Sequence, residues 1–94
     1  MEFPATLTAE EGGYVVRFRD IPEAITQGDD EADALEMAED ALISSMDFYF
    51  EDFRVVPAPS APLPGERLIA LPAALSSAVL RHNQTVARKA RSSA

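Results

Sequence analysis

Residues 29–52 read "DDEADALEMAEDALISSMDFYFED". Apolar side chains recur at helical spacing. At about 100° per residue, Leu35, Ala38, Leu42, Met46, Tyr49 and Phe53 fall in one sector. This predicts a helix from about Glu31 to about Asp52 with that stripe against a core. Asp29 or Asp30 can cap its start, and the acids at 29, 30, 31 and 33 suit the positive end of the helix dipole. Asp33, Glu36, Asp40, Asp47 and Glu51 fall nearly opposite the stripe, in one narrow band. Met37, Ala41 and Phe48 lie beside that band, away from the core. No Lys or Arg relieves it. The pairs Glu36/Asp40 and Asp47/Glu51 repel, each by about 0.2–0.5 kcal/mol. Salt screens so small a penalty, and a band of one sign suits a cationic partner.

Upstream, "FPATLT" (3–8) and "YVVRFR" (14–19) alternate apolar and polar residues with period two, as half-buried strands do. Gly12 and Gly13 between them signal a hairpin. Pro4 cannot donate to a ladder, so it belongs near a strand start or on an edge. "RDIPE" turns the chain, Ala24–Thr26 can form a short third strand, and Gly28 breaks it. Downstream, "RVVPAPSAPLPG" (54–65) is an extended, semi-rigid connector. "ERLIAL" (66–71) reads as a strand that returns to the sheet. Pro72 suits the first turn of a second helix, with Leu75, Ala78, Val79, His82 and Val86 at helical spacing. The apolar signal weakens after Leu80, and "RSSA" (91–94) is expected to be disordered. The result is an α+β fold of order β-β-β-α-β-α. It has a three-stranded antiparallel sheet, one main helix, a fourth strand and a trailing helix. Residues 1–71 form the body, including the connector, and 72–94 a C-terminal helix and basic tail.

The chain has 94 residues, a net charge of −8 and no Cys. One small domain is expected, with a core that no disulfide reinforces. Thiolate metal sites and thiol nucleophiles are excluded. There is no signal-peptide pattern and no membrane-spanning run, so the cytoplasm is the expected location. Twelve of the sixteen acids lie between Arg19 and Arg54, an interval with no base, whereas the last fourteen residues hold four bases and no acid. The acidic body repels phosphates and favours a basic protein. The tail, with Arg81, Arg88, Lys89 and Arg91, is either a solvated end or a weak phosphate contact. His82 is the one histidine and reads as a surface or packing residue. No Gly-rich phosphate loop is present, and no serine has a base near it in sequence. The acids project outward from one helix face instead of converging, which argues against a two-metal site. Neither a cofactor nor an enzymatic activity is expected. In "DFYFEDF" (47–53) the aromatics are interleaved with acids, which favours core packing over base stacking; Phe48 is the exception.

The run "FPATLTAEEGGYVVRFRDIPEAITQGDDEADALEMAEDAL" (3–42) resembles the N-terminal domain of HicB antitoxins. The resemblance continues through "DFYFED" and more loosely through "LIALPAALSSAVL", over about residues 2–80. It implies a partial ribonuclease H-like fold. It also implies a protein that binds and blocks HicA, a small basic toxin that cleaves messenger RNA, and that forms a homo-oligomer. Family members commonly end in a helix-turn-helix or ribbon-helix-helix that binds operator DNA; the residues after Leu80 here leave no room for a helix-turn-helix. Charge placement then nominates Asp20, Glu23, Asp29, Asp33, Glu36 and Asp40 as toxin contacts, with Met37 as an apolar anchor. Ala41, Phe48, Leu68, Leu75 and Val79 are candidates for an oligomer interface. Arg81, Arg88, Lys89 and Arg91 are candidates for operator contact. The alternatives are an autoregulator acting through the C-terminal segment and a residual metal-dependent ribonuclease.

Overall fold

The computed structural model describes residues 1–92. The strands are β1 (Glu2–Glu10), β2 (Gly13–Phe18), β3 (Ile25–Gly28) and β4 (Arg67–Ala70). The helices are α1 (Glu31–Glu51), between β3 and β4, and α2 (Ala73–Ser92) after β4. The four strands form one antiparallel sheet in the order β3-β2-β1-β4. This is the expected α+β order; the ribonuclease H-like label remains what the resemblance implies. Phe3, Ala5, Val16, Phe18 and Ile69 are buried on one face of the sheet. Against them α1 sets Ala34, Ala38, Leu42, Met46 and Tyr49, and Ile21, Ala24, Val56, Leu71 and Val79 complete the core. Pro4 lies where β1 meets only β4, since pairing with β2 begins at Ala5. Its missing donor therefore costs the β1–β2 ladder nothing.

The turn glycines act in two different ways. Gly12 has φ 76° and supplies the hairpin turn. Gly13 instead permits close approach: a Cβ there would sit 2.3 Å from the Gly28 carbonyl oxygen. Gly28 in turn lies against the first turn of α1, where a Cβ would fall 2.4 Å from the Ala34 nitrogen.

Three expectations change. Ala34 and Ser45 are buried on α1, whereas Leu35 is only half-buried. Ser45 satisfies its hydroxyl by donating to the Ala41 carbonyl at 2.7 Å. Phe53 does not extend the stripe, because α1 ends at Glu51 and Phe53 is left-handed (φ 56°) and exposed. The second helix continues past Leu80 to Ser92, so Arg91 and Ser92 are helical and not disordered; Ser93 and Ala94 lie outside the described residues.

Candidate functional site

The first turn of α1 fixes the start of its charged face. Asp30 Oδ1 accepts the Asp33 N–H at 2.8 Å, and Asp33 Oδ2 accepts the Asp29 N–H at 2.9 Å. This reciprocal cap follows the logic of a capping box. It commits the Asp33 carboxylate locally and leaves Asp29 exposed. Beyond it, Glu36, Glu39, Asp40, Asp47 and Glu51 are exposed. Among the described residues none of these five joins an ion pair; the pairs use Glu23, Glu31, Asp52 and Glu66. Met37 and Phe48, 38% and 51% exposed, border the band, and half-buried Ala41 lies between them. The helix thus presents a ridge of one sign with an apolar shoulder.

Asp20 and Glu23 have other work. Asp20 accepts from the Ser60 N–H at 2.8 Å and the Ser60 hydroxyl at 2.7 Å. Burial pushes its carboxyl up, but these two bonds and the nearby Arg19 outweigh it and hold the pKa below the ordinary value. Glu23 accepts the Tyr49 hydroxyl at 2.6 Å and Arg54 Nη2 at 3.2 Å. The Tyr49 bond is the main cause of its lowered pKa, which burial opposes and Arg54 reinforces. Burial first, and then Glu23, pushes Tyr49 up to about 12. The Arg54 guanidinium lies 4.4 Å from the Tyr49 ring centroid. Arg19 grips both Glu66 oxygens, at 2.9 and 3.2 Å, and donates to the Ala61 carbonyl at 2.6 Å. Two nominated acids therefore tie the loop and the Pro-rich connector to the body.

Of the nominated interface residues, Phe48 and Leu68 are exposed, and Ala41 and Leu75 are half-buried. Val79 is fully buried within its own chain, so it belongs to the core and not to an interface. Arg81, Arg88, Lys89 and Arg91 are all exposed on α2. Lys89 Nζ stands 5.0 Å from the Phe53 ring centroid. Of the two roles open to it, surface or packing, His82 takes packing in the structure. Its Nε2 donates to the Arg54 carbonyl at 2.6 Å, and its ring meets Phe50 and Phe53 edge-on.

Sequence reasoning missed Asn83. Its Oδ1 accepts the Val56 N–H at 2.9 Å and its Nδ2 donates to the Val56 carbonyl at 3.0 Å. One side chain thus completes the backbone pairing of a buried connector residue and docks α2. The only sequence signal was an amide between His82 and the half-buried Val86 on a helix face.

A groove of about 580 Å³ opens beside the connector, lined by Ile25, Leu63, Pro22, Thr6 and Arg17 among others. It contains none of the nominated residues. Among the described residues no three His, Asp or Glu side chains come together to hold a metal ion, and no helix is long and apolar enough to cross a membrane.

A family model described as the HicB-like antitoxin of bacterial toxin–antitoxin systems matches residues 2–79. Antitoxin HicB of Escherichia coli K12 is 50% identical over 84 residues, covering 88% of this chain and 61% of that protein. Antitoxin HicB 1 of Photorhabdus laumondii is 51% identical over 84 residues, covering 88% of this chain and 53% of its own. Antitoxin HicB 2 of the same organism is 46% identical over 83 residues, at 88% and 58%. The chain thus spans between half and two thirds of the length of these relatives.

Proposed function

Since the chain belongs to the HicB-like antitoxin family of bacterial toxin–antitoxin systems, we propose that it is a cytoplasmic antitoxin that binds and blocks a small basic, mRNA-cleaving HicA-like toxin. The observation that carries this reading is the outer face of α1, a ridge of exposed carboxylates without a base and with Met37 at its shoulder. A ribonuclease must hold RNA phosphates with Lys or Arg. Carboxylates presented on a rigid helix compete for those cations, and the bulk of the domain covers the toxin's cleft.

Within this reading Glu36 and Asp40 make the central charge contacts, Asp29 extends them at the helix start, and Met37 fills an apolar pocket. Asp33 supports the same edge through its cap. Asp20 and Glu23 act mainly by holding the loop and the connector in place, as their bonds to Ser60 and Tyr49 support. Inhibition is steric and electrostatic and needs no cofactor.

The test uses the purified protein and a purified HicA-like toxin. Titrating the chain into the toxin with an mRNA substrate should abolish cleavage at a fixed stoichiometry. Cleavage that persists at saturating concentrations of the chain would reject the reading.

A further inference from the structure

The groove of about 580 Å³ opens on the face of the sheet turned away from α1. Its floor is one row across three strands: Thr6 of β1 registers with Arg17 of β2, and Arg17 with Ile25 of β3. Arg17 lies between buried Val16 and Phe18, so strand alternation puts this row on the outer face. Neighbouring strands are about 4.8 Å apart, so the row spans about 10 Å. Pro22 and Leu63 also line the groove. Ile25 and Leu63 are large aliphatic side chains, 59% and 58% exposed.

The charge here is unlike that of the rest of the body. Residues 1–72 hold all sixteen acids and four arginines. Arg19, Arg54 and Arg67 each join an ion pair. Among the described residues Arg17 joins none, and it is exposed. Glu66 lines the same groove but is neutralised in place. Its carboxylate accepts from Arg19 and from the Leu63 N–H at 2.6 Å, and its side chain is 5% exposed. An apolar trough therefore opens beside one unpaired cation.

We propose that this groove binds a small organic monocarboxylate with an apolar tail. The carboxylate pairs with Arg17, whose guanidinium fork matches it with two parallel hydrogen bonds. The tail lies along the row against Ile25, Leu63 and Pro22. The volume is that of a small-molecule site, about 300–1,000 Å³, apolar with few polar groups. A stable protein interface needs about 800 Å² from each partner, whereas towards the hairpin this face turns polar, with Thr8, Glu10 and Gln27 exposed. The acid excess of the body repels a dianion more than a monoanion, which favours a carboxylate over a phosphate. The charged ridge of α1 lies on the other side of the sheet, so this site does not rest on the toxin reading.

The experiment titrates the full chain at neutral pH with decanoate and, separately, with uncharged decanol, followed by calorimetry and by nuclear magnetic resonance of the backbone amides. Arg17→Gln removes the cation and Leu63→Ser removes an apolar wall. Both positions are exposed, so both variants should keep the wild-type far-ultraviolet circular dichroism. Decanoate should bind the wild type 1:1, with a Kd below about 1 mM and about fivefold or more tighter than decanol. Its amide shifts should centre on Thr6, Arg17 and Ile25. Arg17→Gln should bind decanoate no better than decanol, and Leu63→Ser should weaken both ligands. Decanoate that does not saturate, or that binds Arg17→Gln as tightly as the wild type, would overturn the proposal. Shifts centred on Met37 and Phe48 instead would also overturn it. Shifts at Ile25 and Leu63 that follow protein concentration without ligand would overturn it in favour of a second copy, and the same shifts on adding a purified HicA-like toxin would do so in favour of a protein partner.

Discussion

Replacing Asn83 with Ala should strongly loosen α2. In the folded chain the Asn83 amide both accepts the Val56 N–H and donates to the Val56 carbonyl, at 2.9 and 3.0 Å, and Val56 is 1% exposed. Alanine removes both partners at once. A buried backbone group left unpaired costs about 1–3 kcal/mol. Asn83 itself is half-buried, so water can reach part of the vacated space. The net loss should be about 2–3 kcal/mol. For a domain of this size that lowers Tm by roughly 10–20 °C. Asn83→Asp separates the two bonds, because a carboxylate still accepts the N–H but cannot donate to the carbonyl. It should not recover the wild-type Tm at neutral pH. Thermal unfolding followed at 222 nm measures both variants. A change in Asn83→Ala below about 0.5 kcal/mol, the range of ordinary surface substitutions, would show that this contact does not hold the helix.

Gly28→Ala should cost about 1–3 kcal/mol or more, because its Cβ would fall 2.4 Å from the rigid Ala34 backbone; denaturant titration gives the value. Phe53→Gly should be close to neutral in the same titration. It relieves a left-handed φ worth about 1–2 kcal/mol and loses the packing of an exposed ring against His82 and Lys89. The Glu23 carboxyl is held below its ordinary value of 4.5 in the folded chain. Its contribution is therefore present above that value and is lost as pH falls through the lower folded pKa. Glu23→Gln should flatten the acid limb of a stability-versus-pH curve and leave its shape near neutrality unchanged. Tyr49 has the opposite sign: raised to about 12 from 10.0, it contributes below pH 10 and the contribution is lost between there and about 12. Tyr49→Phe should remove that alkaline step.

The helix and its two faces were legible because period and charge are local properties of the sequence. Ala38, Leu42, Met46 and Tyr49 point inward and Glu36, Asp40 and Asp47 outward, as their spacing requires. The hairpin and the succession β-β-β-α-β-α were legible for the same reason, whereas the pairing of β4 with β1 was not. What escaped depended on contacts distant in sequence. Ser60 lies 40 residues from Asp20, and Tyr49 lies 26 from Glu23. Charge counting alone made all these carboxylates look equally available to a partner. The extent of α2 escaped because Asn83 and His82 dock it with polar groups, which add nothing to an apolar stripe. Val79 was misplaced because the burial of its face is set by how α2 sits on the body, which the spacing of one helix does not specify. Phe53 fits the core period, but it lies past the end of the helix and is itself left-handed.

The proposed function requires the carboxylate face of α1 to recognise a basic toxin. Calorimetric titration of a purified HicA-like toxin into the wild type and into a Glu36→Lys/Asp40→Lys variant tests it directly. Binding should weaken with salt, and the variant should lose about 1–3 kcal/mol, roughly ten- to a hundredfold in affinity. Equal affinity for the two proteins at low salt would contradict it.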